Sequence, residues 1–130
     1  MCSSRRILIV EDEALIALDL KTNLVMNGFT NVDTAFSPGE TIRKCEQSLP
    51  DLLLMDINLG GDIDGIETVE RIKNGNTFPQ VIYITSYNNP KVKMRAKKTV
   101  FSDYIIKPYD PAQLVGSIKK ALSDEQNLSE

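Results

Sequence analysis

The chain has 130 residues, a net charge of −3 and a hydrophobic fraction of 42%, which together predict one globular domain with a core of its own. This charge excludes a protein with an overall basic bias toward nucleic acid. The apolar runs are too short to span a bilayer and no secretory signal pattern follows Met1, so we expect a cytoplasmic protein. The sequence has no histidine, which excludes catalytic triads with an imidazole base, histidine-dependent zinc sites and a phosphohistidine donor.

Five segments of strand length alternate with helical segments. Apolar runs at 7–10, 52–55, 81–84 and 104–106 predict strands that are covered on both faces, and the half-polar segment 30–36 predicts an edge strand. Apolar residues recur four apart in the first and last intervening segments, as in amphipathic helices. Strict alternation with right-handed crossovers predicts an α/β fold, a doubly wound five-stranded parallel sheet with five helices.

Capping residues mark where the helices begin. Ser37 precedes a proline at the first helical position and has Glu40 three residues later, which is the pattern of a capping box. The other signals are Asp64, Asn89 and Asp110 at predicted helix starts and Gly28 and Gly75 at predicted ends. We expect a single domain over residues 1–130, with a core from about 6 to 122 and a polar, frayed tail at 123–130.

Polar side chains follow the predicted strands at the point where each strand ends. They are Glu11 and Asp12 after the first strand, Asp56 after the third, Thr85 after the fourth and Lys107 after the fifth. Ligands of an open parallel sheet bind beyond the carboxyl ends of its strands, so we expect these side chains to share one crevice. Three neighbouring carboxylates repel one another unless a cation is bound, and Mg²⁺ (or Mn²⁺) accepts carboxylates together with phosphate oxygens.

Such a pocket is suited to a phosphoryl group. The metal and Lys107 would bind the phosphoryl oxygens, Thr85 offers a hydroxyl donor, and the backbone carbonyl of Asn58 could complete the metal site. One carboxylate could attack phosphorus. Asp56 is best placed for this attack because it stands on a middle strand, between the acidic pair and the Thr/Lys pair.

The segment 56–67 also has the spacing of a calcium-binding EF-hand loop. Its oxygen ligands would be Asp56, Asn58, Asp62, Asp64 and Glu67. An EF-hand loop must leave a helix, whereas Asp56 follows a strand-like run and Pro50 breaks any helix before it. The fifth ligand position is a glycine and there is no second copy of the loop, so calcium binding is disfavoured.

The segments ILIVEDE, DLLLMDI, DGIE, VIYITS and DYIIKPYDPAQL occur in an order and spacing that resemble the receiver domain of two-component response regulators. The resemblance covers residues from about 6 to 122. It implies a flavodoxin-like sheet of strand order 2-1-3-4-5. It also implies that Asp56 accepts a phosphoryl group from the phosphohistidine of a sensor kinase, with magnesium held by Glu11, Asp12 and Asp56.

The resemblance further implies a switch. Thr85 and Tyr104 would be the switch pair, Lys107 would pair with the phosphoryl group, and the Lys107–Pro108 bond would be cis. A phosphoryl group adds a charge of roughly −1.5 to −2, enough to draw Thr85 and Lys107 inward and to change the surface of the fourth helix, fifth strand and fifth helix. One departure from the family pattern is a loop after Asp56 that is one residue longer, which suggests a more mobile loop.

We therefore expect a stand-alone receiver that is not an enzyme, although it assists its own phosphoryl transfer and dephosphorylation. Its output would be contact with an unknown downstream protein or phosphotransfer protein, made by a monomer or an activation-dependent dimer, without nucleic acid or membrane. The basic segment 90–98 is either a solvated helix or a docking surface for an acidic partner. A phosphorelay intermediate, a phosphorylation-independent binding module and a small aspartyl-phosphate phosphohydrolase remain alternatives.

Overall fold

Strands and helices alternate along the described residues, as predicted. The structure, a computed structural model, describes residues 5–72 and 78–128, with side chains described as far as residue 123; the predicted helix end at Gly75 lies outside these ranges. The elements are β1 (Ile7–Val10), α1 (Ala14–Met26), β2 (Val32–Ala35), α2 (Pro38–Gln47), β3 (Leu52–Asp56), α3 (Gly65–Ile72), β4 (Gln80–Thr85), α4 (Pro90–Lys97), β5 (Asp103–Ile106) and α5 (Pro111–Leu128).

The five strands form one parallel sheet. Its order is β2-β1-β3-β4-β5, which confirms the flavodoxin-like order that the resemblance implied. Val10 of β1 is level with Met55 of β3, and Asp56 is level with Ile84 of β4. Thr85 is level with Ile106 at the end of β5. The carboxyl ends of the three central strands and of β5 therefore reach the same edge of the sheet.

Each face of the sheet is covered by helices. Alternate strand residues point to opposite faces, so Ile7, Leu54 and Ile82 pack against α1 and α5, whereas Leu53 and Tyr83 pack against α2, α3 and α4. Both residue sets are buried, which explains why β1 and β3 are apolar at nearly every position. Within the described residues, no helix combines the length and the apolar character needed to cross a membrane.

The predicted helix caps are present. The Ser37 hydroxyl accepts the Glu40 amide at 3.1 Å, and the Glu40 carboxylate accepts the amide of Phe36 at 2.7 Å. Asn89 accepts the amide of Val92 at 2.9 Å and so begins α4. These contacts satisfy amides that have no partner inside the first helical turn.

The sequence made a prediction for the ends of two helices, α1 and α5. Gly28 has a φ of +98°, the left-handed conformation expected after α1. The α5 backbone is helical as far as Leu128, and the expectation that the tail frays stays a prediction.

Candidate functional site

The residues predicted to share a crevice do so at the carboxyl edge of the sheet. Glu11 directly follows β1, Asp56 is the last residue of β3, Thr85 is the last of β4, and Lys107 directly follows β5. The Lys107 amide donates to the Thr85 carbonyl at 2.9 Å, which continues the β4–β5 ladder to the lysine. The Lys107–Pro108 bond is cis, as the resemblance implied.

Lys107 is the electrostatic centre of this crevice. Its Nζ lies 3.2 Å from Asp56 Oδ2 and 3.3 Å from Glu11 Oε1. Glu11 and Asp56 are buried, with 5% and 7% of their surface exposed. A buried carboxylate is costly unless it is paired, so the ammonium group offsets part of the cost of holding two carboxylates together.

Three carboxylates converge at the same point. One oxygen each of Glu11, Asp12 and Asp56 lies within 4.8 Å of the others. Glu11 and Asp56 are buried, whereas Asp12 is exposed at the rim. An all-oxygen set of carboxylates that is open to water on one side suits Mg²⁺, which keeps several waters of its own. The residues present therefore fit the predicted magnesium site.

The charges in the crevice perturb one another. The pKa of Asp12 is raised, first by burial and then by its hydrogen bond with Glu11 and the charge of that neighbour. For Lys107, burial acts to lower the pKa, but the charges of Asp56 and Glu11 outweigh it and leave the pKa raised. Lys107 is therefore held as a cation, and the crevice sets three carboxyl groups against this one ammonium group.

The two oxygens of Asp56 have different partners. Oδ2 faces Lys107, while Oδ1 accepts the backbone amide of Asn58 at 3.0 Å. The role of the Asn58 carbonyl as a metal ligand remains a prediction. In the longer loop after Asp56, the side chains of Ile57 and Leu59 are buried, with exposures of 0% and 4%. Two apolar anchors thus hold the loop, a feature that its polar composition concealed.

Gly65 packs against the backbone of β3 at its carboxyl end. Its amide donates to the Ile57 carbonyl at 2.8 Å. A Cβ at this position would lie 2.9 Å from Ile57 Cα and from Met55 Cγ, and closer still to the carbonyl oxygen of Asp56. Only glycine fits this close approach. The first turn of α3 therefore supports Asp56 from behind.

Hydrogen bonds connect Thr85 and Tyr104 through the backbone of Tyr87. The buried Thr85 hydroxyl accepts the amide of Tyr87 at 3.1 Å, and the Tyr104 hydroxyl donates to the carbonyl of Tyr87 at 3.0 Å. Tyr104 is partly exposed and lies on β5, the edge strand beside β4. The backbone link through Tyr87 between the two predicted switch residues was not predicted, because no sequence pattern reports it.

The acidic residues of the EF-hand-like segment serve other purposes. Asp64 caps α3 by accepting the Glu67 amide at 3.0 Å, as predicted. It also accepts two hydrogen bonds from Arg95 of α4, at 2.8 Å and 3.2 Å. Burial raises the pKa of Asp64, but the Arg95 and backbone hydrogen bonds outweigh it and leave the pKa lowered. Among the described residues, the acids grouped closely enough to hold a cation are Glu11, Asp12 and Asp56. Asp62, Asp64 and Glu67 are not part of this group, and the expectation that calcium binding is disfavoured stays a prediction.

The sequence and the fold both match known proteins. Residues 7–119 match the family described as "Response regulator receiver domain". The chemotaxis protein CheY of Bacillus subtilis is 30% identical over 120 residues, with 92% of this chain and 99% of that protein covered. The transcriptional regulatory protein PdtaR of Mycobacterium tuberculosis is 32% identical over 119 residues, but this chain spans only 57% of its length.

A solved structure gives the same result. The CheY-like response regulator receiver domain protein from Methanospirillum hungatei has a TM-score of 0.87 and 32% identity, with 97% of this chain and 98% of that chain covered. The strand order and the family match indicate the same fold. The acidic residues and Lys107 converge at the carboxyl edge of that sheet. The chain belongs to the response regulator receiver domain family.

Proposed function

We propose that the chain accepts a phosphoryl group on Asp56 from the phosphohistidine of a sensor histidine kinase. The observation that carries the proposal is the position of the Asp56 carboxylate, buried at a central strand end and 3.2 Å from the Lys107 ammonium. Glu11 and Asp12 lie beside it within ligand distance of a shared cation. Of the three acids, Asp56 is the one on β3, between β1 and β4, so it has the acidic pair on one side and Thr85 on the other.

Each residue then has a defined part in the transfer. An Asp56 oxygen attacks phosphorus, a P–O bond forms, and the P–N bond of the donor breaks with its electron pair going to nitrogen. A magnesium (or manganese) ion held by Glu11, Asp12 and Asp56 would neutralise phosphoryl oxygens. Lys107 is positioned to exchange its Asp56 contact for a phosphoryl oxygen, which keeps the new charge paired.

Thr85 and Tyr104 would report the phosphoryl group to the surface. A hydroxyl drawn toward the phosphoryl oxygens must release the Tyr87 amide that it now accepts. The same residue's carbonyl holds the Tyr104 hydroxyl, so a shift of Tyr87 also frees Tyr104. A protein-binding face made of α4, β5 and α5 would change as a result.

In the pathway, the output of the receiver would be contact with a protein partner. It would be a signalling domain and not an enzyme in its own right, acting as a monomer or an activation-dependent dimer in the cytoplasm. A phosphorelay intermediate, which passes the group to a histidine phosphotransfer protein, uses the same site.

The proposal is tested by mass spectrometry of the intact protein after incubation with acetyl phosphate and magnesium. We expect a gain of one phosphoryl mass that is absent without magnesium and absent in Asp56→Asn. The matched control is Asp62→Asn, which removes an exposed acid from the same loop and should leave the gain unchanged. A wild-type protein that gains no mass would favour the phosphorylation-independent binding module. Hydrolysis of small phosphate esters would favour the phosphohydrolase.

A further inference from the structure

We infer that the outward face of α4 docks an acidic segment of a partner protein that carries an apolar anchor residue. The inference deepens the proposed function, since it names the class of partner for the face that contains α4. It concerns binding chemistry alone, so it can be tested apart from phosphorylation.

The charge of α4 is opposite to that of the rest of the chain. The segment 90–98 contains five basic residues and no acidic residue, in a protein of net charge −3. Arg95 is occupied by its two hydrogen bonds to Asp64. Among the described residues, the other four basic side chains form no ion pair. They are Lys91, Lys93, Lys97 and Lys98, and all four are exposed.

These lysines share one side of the helix. Ala96 is fully buried and Val92 half-buried, and they define the inward face of α4. Val100 follows the end of α4 at Lys97 and is 66% exposed, so it does not extend this inward face.

Met94 lies at the centre of the lysine side. It is 66% exposed, and its nearest neighbours on the helix surface, three or four positions away, are Lys91, Lys97 and Lys98. An apolar centre surrounded by cations is the complement of an acidic segment with one apolar side chain, since hot-spot contacts are central and charge pairs are peripheral. Methionine adapts its shape to different apolar partners.

The lysine side is continuous with the predicted switch. Lys93 Nζ lies 5.6 Å from the ring centroid of Tyr104, a cation–π distance. The Tyr104 hydroxyl in turn donates to Tyr87. A rearrangement at Tyr104 would therefore move one of the four lysines, so phosphorylation and acidic-partner binding are expected to be coupled.

An acidic protein segment fits this surface better than nucleic acid or an anionic membrane. The guanidinium group of Arg95, the group on α4 best suited to phosphate, is bound to Asp64. The lysines act as point charges that pair with carboxylates as readily as with phosphates. The whole chain is negatively charged, which opposes approach to an extended polyanion. A single exposed methionine offers little apolar area for insertion into a bilayer.

The test uses a labelled synthetic peptide rich in glutamate, with leucines at helical spacing, titrated against the protein by fluorescence anisotropy. The comparison peptide has glutamine in place of glutamate. We expect wild type to prefer the acidic peptide and to lose this preference as salt rises. Lys91→Glu combined with Lys97→Glu should weaken binding roughly tenfold or more, because attraction becomes repulsion at two positions. A glutamate at position 91 is favourable near the N-terminus of α4 and one at position 97 is unfavourable near the C-terminus, so the two substitutions have opposite effects on helix stability.

The matched control is Arg43→Glu combined with Lys21→Glu, which changes the net charge equally at positions on α2 and α1, outside the face made of α4, β5 and α5, and should leave binding within about twofold. Met94→Ala should weaken binding several-fold without any change of charge. Circular dichroism verifies that each variant is folded.

Several outcomes would overturn the inference. They are equal loss in both double variants, no preference for the acidic peptide, and tighter binding of duplex DNA or phosphatidylserine vesicles than of the peptide. If the protein self-associates and the Lys91→Glu, Lys97→Glu variant does not, the face binds a second copy of the chain instead. Binding is measured with and without acetyl phosphate, so absence of a phosphoryl mass gain refutes only the proposed function, and absence of peptide binding in both states refutes only this inference.

Discussion

Replacing Gly65 by alanine should destabilise the protein, although the same replacement usually stabilises a helix. Gly65 is the first residue of α3, where alanine improves helix propensity by at most about 1 kcal/mol. Against this, the added Cβ would lie 2.9 Å from Ile57 Cα and closer still to the Asp56 carbonyl oxygen. These are backbone atoms of a central strand and its continuation, so they cannot move aside as a flexible side chain would.

The two effects have different sizes. Inserting a methyl group into a well-packed site costs about 1–3 kcal/mol, and a contact with backbone atoms belongs at the upper end. After subtraction of the propensity gain, we expect a net loss of about 2 kcal/mol in the free energy of unfolding. This corresponds to a fall in melting temperature of roughly 8 °C for a domain of this size.

The assay is urea denaturation followed by far-ultraviolet circular dichroism. The control is Gly116→Ala in α5, where a Cβ would meet nothing within 4 Å. This substitution should stabilise the protein by about 0.5–1 kcal/mol. Gly65→Ala should also slow acetyl phosphate labelling in its folded fraction, because the displaced carbonyl belongs to Asp56. A Gly65→Ala variant as stable as wild type would refute the close-packing argument.

Three further predictions concern the charged and titratable groups. Magnesium at ten times its dissociation constant should add about 1.4 kcal/mol to the free energy of unfolding. In thermal denaturation the gain should be smaller in Asp12→Asn and unchanged in Asp62→Asn. Equal gains in wild type and both variants would argue against a site at Asp12. A double-mutant cycle of Asp64→Asn and Arg95→Gln should give a coupling of roughly 0.5 kcal/mol for this partly exposed pair. The folded-state pKa of Asp64 is lowered, so this stabilisation is complete above the unfolded pKa and is lost as pH falls through the folded one; a coupling that persists in acid would contradict the assignment. Burial raises the pKa of Cys45 to about 11, so in a Cys2→Ser variant its thiol should react slowly with a disulfide reagent at neutral pH and rapidly in denaturant, and equal rates would show that the thiol is accessible.

Much of the fold was predictable because local chemistry determines it. The apolar runs that became β1, β3 and β4 are buried on both faces, and this burial requires apolar side chains at consecutive positions. Ser37 and Asn89 begin helices by hydrogen bonds that reach only three residues along the chain. The position of Asp56, Thr85 and Lys107 at strand ends follows from the same reasoning, since parallel strands have their carboxyl ends at one edge.

The contacts that connect the site to the surface were not predictable. Arg95 meets Asp64 across 31 positions of sequence, and Tyr104 meets Tyr87 across 17. Neither distance corresponds to a helical or strand period, so only the packing of α4 beside α3 and of β5 beside β4 creates these contacts. Arginine and lysine are equivalent in the charge pattern of α4, yet the fold directs Arg95 to a carboxylate and leaves the lysines in solvent.

The sequence by itself determined the strands, the helix starts and the residues that gather at the carboxyl edge of the sheet. These depend on periodicity, on capping and on the direction of parallel strands, all of which are local or follow from topology. The tertiary structure decided which charged groups are paired, that only glycine fits behind Asp56, and that Met94 stands among exposed lysines. Such features depend on distances of a few ångströms between elements that are remote in the chain, and those distances exist only after the helices have packed on the sheet.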